Sequence, residues 1–353
     1  MHAVTAERPG AVELSVDVGG EERSALAYTA LVGPVREGDR VLLNVTASAL
    51  DLGTGGLDFV VSVVDSDGVD VEGPGHIMKL RYSPLQAAVL AVEEEASPFH
   101  ERMRTADSLD GTPVVWAPLH SMVAPAVAGA RAGGAGRVAY VMTDGAALGA
   151  PLSRICARLR AAGLLDAVVS SGQSFGGDVE AVNTFTGLLA ARVVSEADVI
   201  VVGDGPGNTG TATRWGATDI ESAMSMVAAR ILGARPVAAL RISFADARAR
   251  HRGVSHHSLT ALGSIVEPGA HVAVPRLADA AQRAAVTDAL RESGIVERHR
   301  VVEAAGEPAL DLLVEHGIRI DSMGRGVEDD RAFFLAAGAA GAVAADLAEG
   351  RPA

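Results

Sequence analysis

From Pro113 onward the chain alternates continuous apolar runs with helix-patterned stretches, and this alternation restricts the fold more than any single residue does. The runs are Val114–Leu119, Val138–Met142, Ala167–Ser170, Val199–Val202 and Val237–Ile242. A strand that is apolar on both faces has to be covered on both, the condition of a parallel sheet between two helical layers. The intervening stretches supply those layers. Leu152, Ile155, Cys156 and Leu159 recur at helical spacing behind Pro151 and ahead of Gly163. Ile220, Met224, Val227 and Ile231 do the same, with Thr218 and Glu221 at the spacing of a capping box. A later repetition at His271–Pro275, Val301–Val302 and Ile318–Ile320 either extends the sheet or forms a smaller lobe. The expected fold class is α/β, with a doubly wound, mostly parallel, Rossmann-like domain over residues 113–353.

What precedes it differs in kind. Val12–Val18, Leu26–Tyr28, Arg40–Asn44 and Phe59–Val64 are short, rich in Val, Leu and Thr, and separated by turn clusters. They predict a small N-terminal β-barrel or sandwich over residues 1–72. The chain enters a strand almost at once, so an earlier strand is expected to be missing or the start to lie late. Residues 73–112 connect the two parts. Their segment GPGHIMKLRYSPLQ carries His76, Lys79, Arg81 and Tyr82, unusual chemistry for a passive linker.

Composition narrows the function classes. A net charge of −14 argues against a nucleic-acid backbone as partner, because counterion release needs a large basic face. Two Trp, three Tyr and seven Phe leave little for base stacking. The single cysteine, Cys156, rules out an internal disulfide or a cysteine metal cage, and its helical spacing marks it as a small core residue. The N-terminus lacks the basic-then-apolar pattern of an export signal. The segment FFLAAGAAGAVAADLA comes closest to a membrane span but is short and broken by Gly338 and Gly341, so it reads as a packed terminal helix. A cytoplasmic protein with no membrane partner, forming a homodimer or other homo-oligomer, is expected.

In an open parallel sheet, ligands bind outside the carboxyl ends of the strands. The residues just past the apolar runs are His120–Ser121, Thr143–Asp144, Gly172–Ser174, Gly203–Gly210 and Ser243–Asp246, all polar or glycine-rich. The last group belongs to Arg241–Thr260, which holds Arg241, Arg248, Arg250, Arg252, His251, His256 and His257 against one acid, Asp246. A strand ending in such a cluster points it at something, unless it is a solvated loop in which Asp246 pairs with Arg250 across a helical turn.

Two motifs sit at these tips. Gly172-Gln-Ser174-Phe-Gly176 has the form of a nucleophile elbow, and Ser174, Asp246 and His257 would complete a serine-hydrolase order. Its plainer reading is a tight glycine turn. Gly205-Pro-Gly207-Asn-Thr209-Gly210 is weak as a dinucleotide fingerprint but suits an anion cradle, with Arg214 close behind. His256 and His257 are expected in the first turn of a helix capped by Ser255. There the helix dipole favours neutral imidazoles, as bases or metal ligands. Two adjacent histidines do not easily face one ion, so the divalent-metal expectation falls on Asp144 and Asp246, with one histidine.

Taken together, GHIMKLRYSPLQ, LHSM, YVMTDGAAL, FGGDVEAVN, GPGNTGT, RISFADARARHRGVSHHSLTAL and SMGRGVEDDRAFFLAAGAAGA give a sequence that resembles a bacterial domain-of-unknown-function family of actinobacteria and Firmicutes. The resemblance covers nearly the whole chain. It implies a cytoplasmic protein and transfers no activity, substrate or catalytic residue. From the residues, the leading expectation is an enzyme or binding protein for a small anionic metabolite, phosphorylated or nucleotide-like. Gly205, Gly207, Thr209, Gly210, Arg214, Arg250 and Arg252 would hold the anion, while His120, Asp144, Asp246 and His256 would move protons or hold a divalent ion. The alternatives are the serine hydrolase and a non-catalytic sensor or scaffold.

Overall fold

In the computed structural model, which describes residues 1–66, 68, 69 and 73–351, the first five strands make one open sheet. They are β1 (Ala3–Arg8), β2 (Ala11–Val18), β3 (Glu21–Tyr28), β4 (Val41–Asn44) and β5 (Asp58–Val63), in the order β1–β2–β3–β5–β4. No closed barrel forms among the described residues. β1 pairs only with β2 and β4 only with β5, so both edges stay open. The expected boundary at residue 72 lies outside the described residues. Six consecutive residues of β2, Ala11–Val16, are buried, because the strand serves two interfaces. Val12, Leu14 and Val16 face a small core with Ala25, Ala27 and Val60. Ala11 joins Leu26, Leu57 and the partly buried Tyr28, Phe59 and Leu152 on the other side, against the rest of the molecule.

A hairpin of β6 (Ile77–Lys79) and β7 (Ala87–Val89) follows. The main sheet is built from β8 (Pro113–Trp116), β9 (Val138–Thr143), β10 (Ala167–Ser170), β11 (Val179–Glu180), β12 (Val199–Asp204) and β13 (Arg235–Ala239). After a short ribbon, β14 (Ile242–Ser243) with β15 (Gly253–Val254), it is completed by β16 (His271–Pro275) and β17 (Arg300–Ala304). The order is β11–β10–β9–β12–β8–β13–β16–β17, and every pairing is parallel. The two later apolar runs do extend the sheet. Ile318–Ile320 does not, and instead leads into the hairpin β18 (Asp321–Ser322) and β19 (Arg325–Gly326).

Burial follows position. β8, β9 and β12, in the middle, are buried along their whole length. Helices Val123–Ala132, Glu307–Glu315 and Arg331–Ala348 pack together as one layer, and Thr184–Val193 with Met224–Ile231 as the other. The second layer departs from the spacing that predicted it. Met224 and Ile231 are exposed, whereas Ile220, Ala223, Met226 and Ala229 face the sheet. Small residues carry the buried face there, so bulk apolar side chains were a poor guide. Thr218 does not form a capping box; its hydroxyl accepts from Thr209 N and Asn208 Nδ2 instead.

Helix Arg331–Ala348 is long and apolar enough by composition to cross a membrane, but 78% of its window is buried inside the fold. It lies against Val123–Ala132 so closely that a Cβ on Gly129 would collide with the carbonyl of Gly338, and one on Gly341 with that of Ala126. Its partner is a helix of the same chain.

Candidate functional site

Chain order reverses around β8, whose neighbours β12 and β13 are both made later and lead to opposite sides. The carboxyl ends of these strands are therefore the topological switch at which a crevice is expected. The segment after β13 folds back on itself there. β14 and β15 pair antiparallel, and Ser255 N donates to Arg241 O at 2.9 Å, so the chain returns to its starting point within fifteen residues or so. Ser255 then caps the short helix His256–Thr260, its hydroxyl accepting from His257 N, as its position before the two histidines predicts.

This fold-back gathers His251, His256 and His257. Their ring centroids are 5.1, 5.1 and 4.0 Å apart, and one ligating nitrogen from each lies within 4.8 Å of the others. His257 Nδ1 is 2.9 Å from Oδ2 of Asp219, on the helix after β12. His251 Nδ1 is 2.8 Å from the Ser255 hydroxyl. Nε2 of His256, Nε2 of His257 and Oδ1 of Asp219 are buried with no partner. Burial pushes His251 down to about 3, helped by the charges of Arg241 and Arg248. Burial also lowers His256, followed by the charges of His257 and Arg250.

Asp246, expected as a base or metal ligand, is not available as either. Arg248 grips both its oxygens, Nε to Oδ1 at 2.9 Å and Nη2 to Oδ2 at 2.7 Å. Arg241 and Arg325 approach Oδ2 at 3.4 and 3.7 Å. The hydrogen bonds from Arg248 hold its carboxyl well below the usual range. A carboxylate so neutralised binds neither a proton nor a cation readily. Its partner is Arg248 and not Arg250; Arg250 and Arg252 are exposed. Asp144 belongs to another network and accepts from Gln173 N at 2.8 Å.

Ser174 is fully buried, and its hydroxyl donates to Thr143 O at 2.8 Å. The segment beyond Gly176 runs into β11, not into a helix. The elbow therefore does not form, and Ser174, Asp246 and His257 share no hydrogen bond. Gly172, with φ of 66°, makes the tight turn, and a Cβ there would strike the Asp144 carboxylate.

His120 follows β8 but is enclosed. Its Nε2 lies 2.7 Å from the Ser153 hydroxyl and its Nδ1 3.3 Å from that of Tyr140. Tyr140 in turn donates to Asp204 O at 2.8 Å. With the proton on Nδ1, every group in this chain finds a partner. Burial drives His120 down to about 4, so it stays neutral. Asp204, at the end of β12, accepts from the Thr143 hydroxyl at 2.6 Å and from Asn208 Nδ2 at 3.1 Å. Burial raises it to about 6.

The glycine loop after β12 closes largely on itself. Gly210 bridges Ala217, Thr211 N donates to Gly216 O, and Thr209 N to the Thr218 hydroxyl. Gly205 lets the chain pass against Ala147 O, while Gly207, with φ of 94°, faces open space. The backbone N–H of Thr209, one of the residues expected to hold an anion, is thus already used. Arg214 bonds the Ser264 hydroxyl at 2.7 Å and lies 4.7 Å over the Trp215 ring. The loop nevertheless reaches the histidines, since a Cβ on Gly210 would stand 3.2 Å from His257 Cε1.

Asp219 and Asp204 escaped the sequence reading, and His251, though placed in the basic cluster, was given no role in it. Asp219 lies between Thr218 and Glu221, a stretch whose capping-box spacing carries no signal of a site. Two surface depressions, one lined by Arg283, Asp288, Arg291 and Glu303 and the other by Arg102, Asp107, Arg192 and Glu196, share none of these residues. Their charges are mixed and mutually compensating, so the unsatisfied histidines remain the stronger chemical signal.

A family model described as a protein of unknown function (DUF3866) matches residues 24–341. No curated protein and no solved structure matches the chain.

Proposed function

We propose, for a chain that belongs to the DUF3866 family and receives no activity from it, that the carboxyl end of the sheet around β12 and β13 binds a small anionic metabolite, phosphorylated or nucleotide-like. In this reading His257, oriented by Asp219, moves a proton or positions the ligand. One observation carries it: His257 Nε2 is buried and unpartnered, while Nδ1 is fixed by a carboxylate. A buried polar atom left unsatisfied costs about 1–3 kcal/mol, which a bound group would remove. Fixing one imidazole nitrogen to a carboxylate is also how a histidine is held in one tautomer for work at the other. Arg250, exposed and close enough to act on His256, adds a positive field that attracts an anion.

The test is thermal unfolding of the full chain with inorganic phosphate, nucleoside monophosphates and sugar phosphates. A compound at a hundred times its dissociation constant adds about 2.7 kcal/mol. Stabilisation by a phosphorylated compound, weakened at least tenfold by Asp219→Asn and by Arg250→Ala, is expected. No stabilisation across the panel, or equal affinity in both folded variants, would sink the reading.

A further inference from the structure

We propose that His251, His256 and His257 bind one divalent transition-metal ion, of the zinc and cobalt type, with Asp219 and Ser255 as outer partners. The proposal rests on the site just described, but it does not require that site's ligand to be anionic. Three observations support it independently of sequence spacing. The first is convergence: three imidazoles on two separate turns bring their nitrogens within 4.8 Å of one another. Among the described residues, no other group of three His, Cys, Asp or Glu does this.

The second is the pattern of satisfied and unsatisfied atoms. His251 and His257 each use Nδ1 on an oxygen, Ser255 and Asp219 respectively, which leaves Nε2 as the free nitrogen on both. His256 Nε2 is likewise buried without a partner. Metal-bound histidines characteristically donate their other N–H to a carboxylate, carbonyl or hydroxyl, which fixes the ring and raises its basicity. His120, enclosed elsewhere, satisfies both its nitrogens, and His271 and His299 each leave one unpartnered alone; among the described residues, only in this cluster do unpartnered imidazole nitrogens converge.

The third is charge. The charges whose fields reach the cluster are Asp219, hydrogen-bonded to His257, with Asp246, Arg241, Arg248 and the exposed Arg250. Asp246 takes up Arg241 and Arg248, so neither guanidinium is free to occupy the histidines. Three neutral nitrogen donors are also the number that leaves a zinc ion one position for water or substrate. The adjacency of His256 and His257, which argued against a shared ion, is overcome locally. The rings tilt by 50° at the start of the helix, and His251 comes in from the preceding turn.

Other clusters close on inspection. The buried Lys79 ammonium spends its donors on Gly172 O, Ala181 O and Glu180. His271 and His299 keep an orphan nitrogen each but belong to no group of ligating residues.

The experiment uses tag-free full-length protein, stripped with a chelator and titrated with Zn²⁺ by calorimetry and with Co²⁺ by visible absorption. One equivalent should bind, and Co²⁺ should give the intense bands of a low-coordinate nitrogen site. His251→Ala and His256→Ala should weaken binding at least a hundredfold, and Asp219→Asn about tenfold to a hundredfold. His76→Ala, at an exposed histidine elsewhere, should change nothing. No uptake of either ion, or affinity unchanged in the folded histidine variants, overturns the proposal. If a variant does not fold, the wild-type cobalt spectrum decides, and bands of a purely hydrated ion overturn it. Metal uptake with no stabilisation by phosphate compounds would support this site and sink the anion reading. Phosphate stabilisation of stripped protein that takes up no metal would do the reverse.

Discussion

His120 lies against Tyr140, whose hydroxyl donates to the backbone carbonyl of Asp204, yet burial moves the titrations of the imidazole and of the Asp204 carboxyl in opposite thermodynamic directions. His120 is lowered from 6.5 to about 4, so the unfolded chain takes up a proton that the folded one refuses between those values. Its contribution is complete above pH 6.5 and is lost as pH falls toward 4, at up to about 1.4 kcal/mol per unit. Asp204 is raised from 3.8 to about 6, so the folded state holds the extra proton. Its contribution is complete below 3.8 and is lost as pH rises through 6, about 3 kcal/mol in all. Urea midpoints measured from pH 4 to 8 should therefore diverge between variants. His120→Gln should flatten the acid limb. Asp204→Asn should gain on the wild type as pH rises, above a constant penalty for facing the Asn208 amide. Profiles parallel to the wild type would mean that neither group titrates as its burial dictates. At this scale the sequence was informative where one residue acts on its near neighbours, as Ser255 does on His257. It was silent on Asp219 and Asp204, whose roles depend on elements far apart along the chain.

Among the elements, Val123–Ala132 crosses Arg331–Ala348 with backbone against backbone, so the contact has no room for an added methyl. Alanine favours a helix over glycine by about 1 kcal/mol, so Gly129→Ala would stabilise an isolated helix. Here the added methyl meets the Gly338 backbone, which cannot swing aside as a side chain could. A net loss of about 1–3 kcal/mol is expected by chemical denaturation. Gly263→Ala, whose Cβ would find only ordinary contact at 3.5 Å, should cost nothing comparable. Equal effects at the two positions would refute the close-packing account. The strands of the main sheet were legible because full burial writes a continuous apolar run. The helix Met224–Ile231 was legible as a helix but not in its inner face, because alanine and serine carry that face and leave Met224 and Ile231 to solvent. The openness of the N-terminal sheet was equally hidden, since closure depends on which edges pair and no strand's own composition records that.

Across the whole molecule, the N-terminal sheet seats on the loops that follow β9 and β10. Glu13 accepts from Arg8 at 2.6 Å and from Arg154 Nε at 2.7 Å, and Tyr28 meets Phe175 edge-on at 5.4 Å. Glu13 is buried, and its hydrogen bond to Arg154 lowers its pKa, so this clamp is complete above pH 4.5 and weakens as pH falls below it. Glu13→Ala leaves the largely buried Arg8 guanidinium without its carboxylate while the half-exposed Arg154 is taken up by water, and a loss of about 1–3 kcal/mol is expected. Hydrogen exchange should then quicken in β2 and β3 while β8, β9 and β12 stay protected. Uniform acceleration would show the two sheets opening as one unit. The order in which this chain is made bears on its folding too. The helix Val123–Ala132 leaves the ribosome early, but the helix that covers its glycine face is made some two hundred residues later. Through most of synthesis that face has no native cover. The nascent protein therefore exposes that face until its last helix is made, and shielding it in the meantime should raise the folded yield.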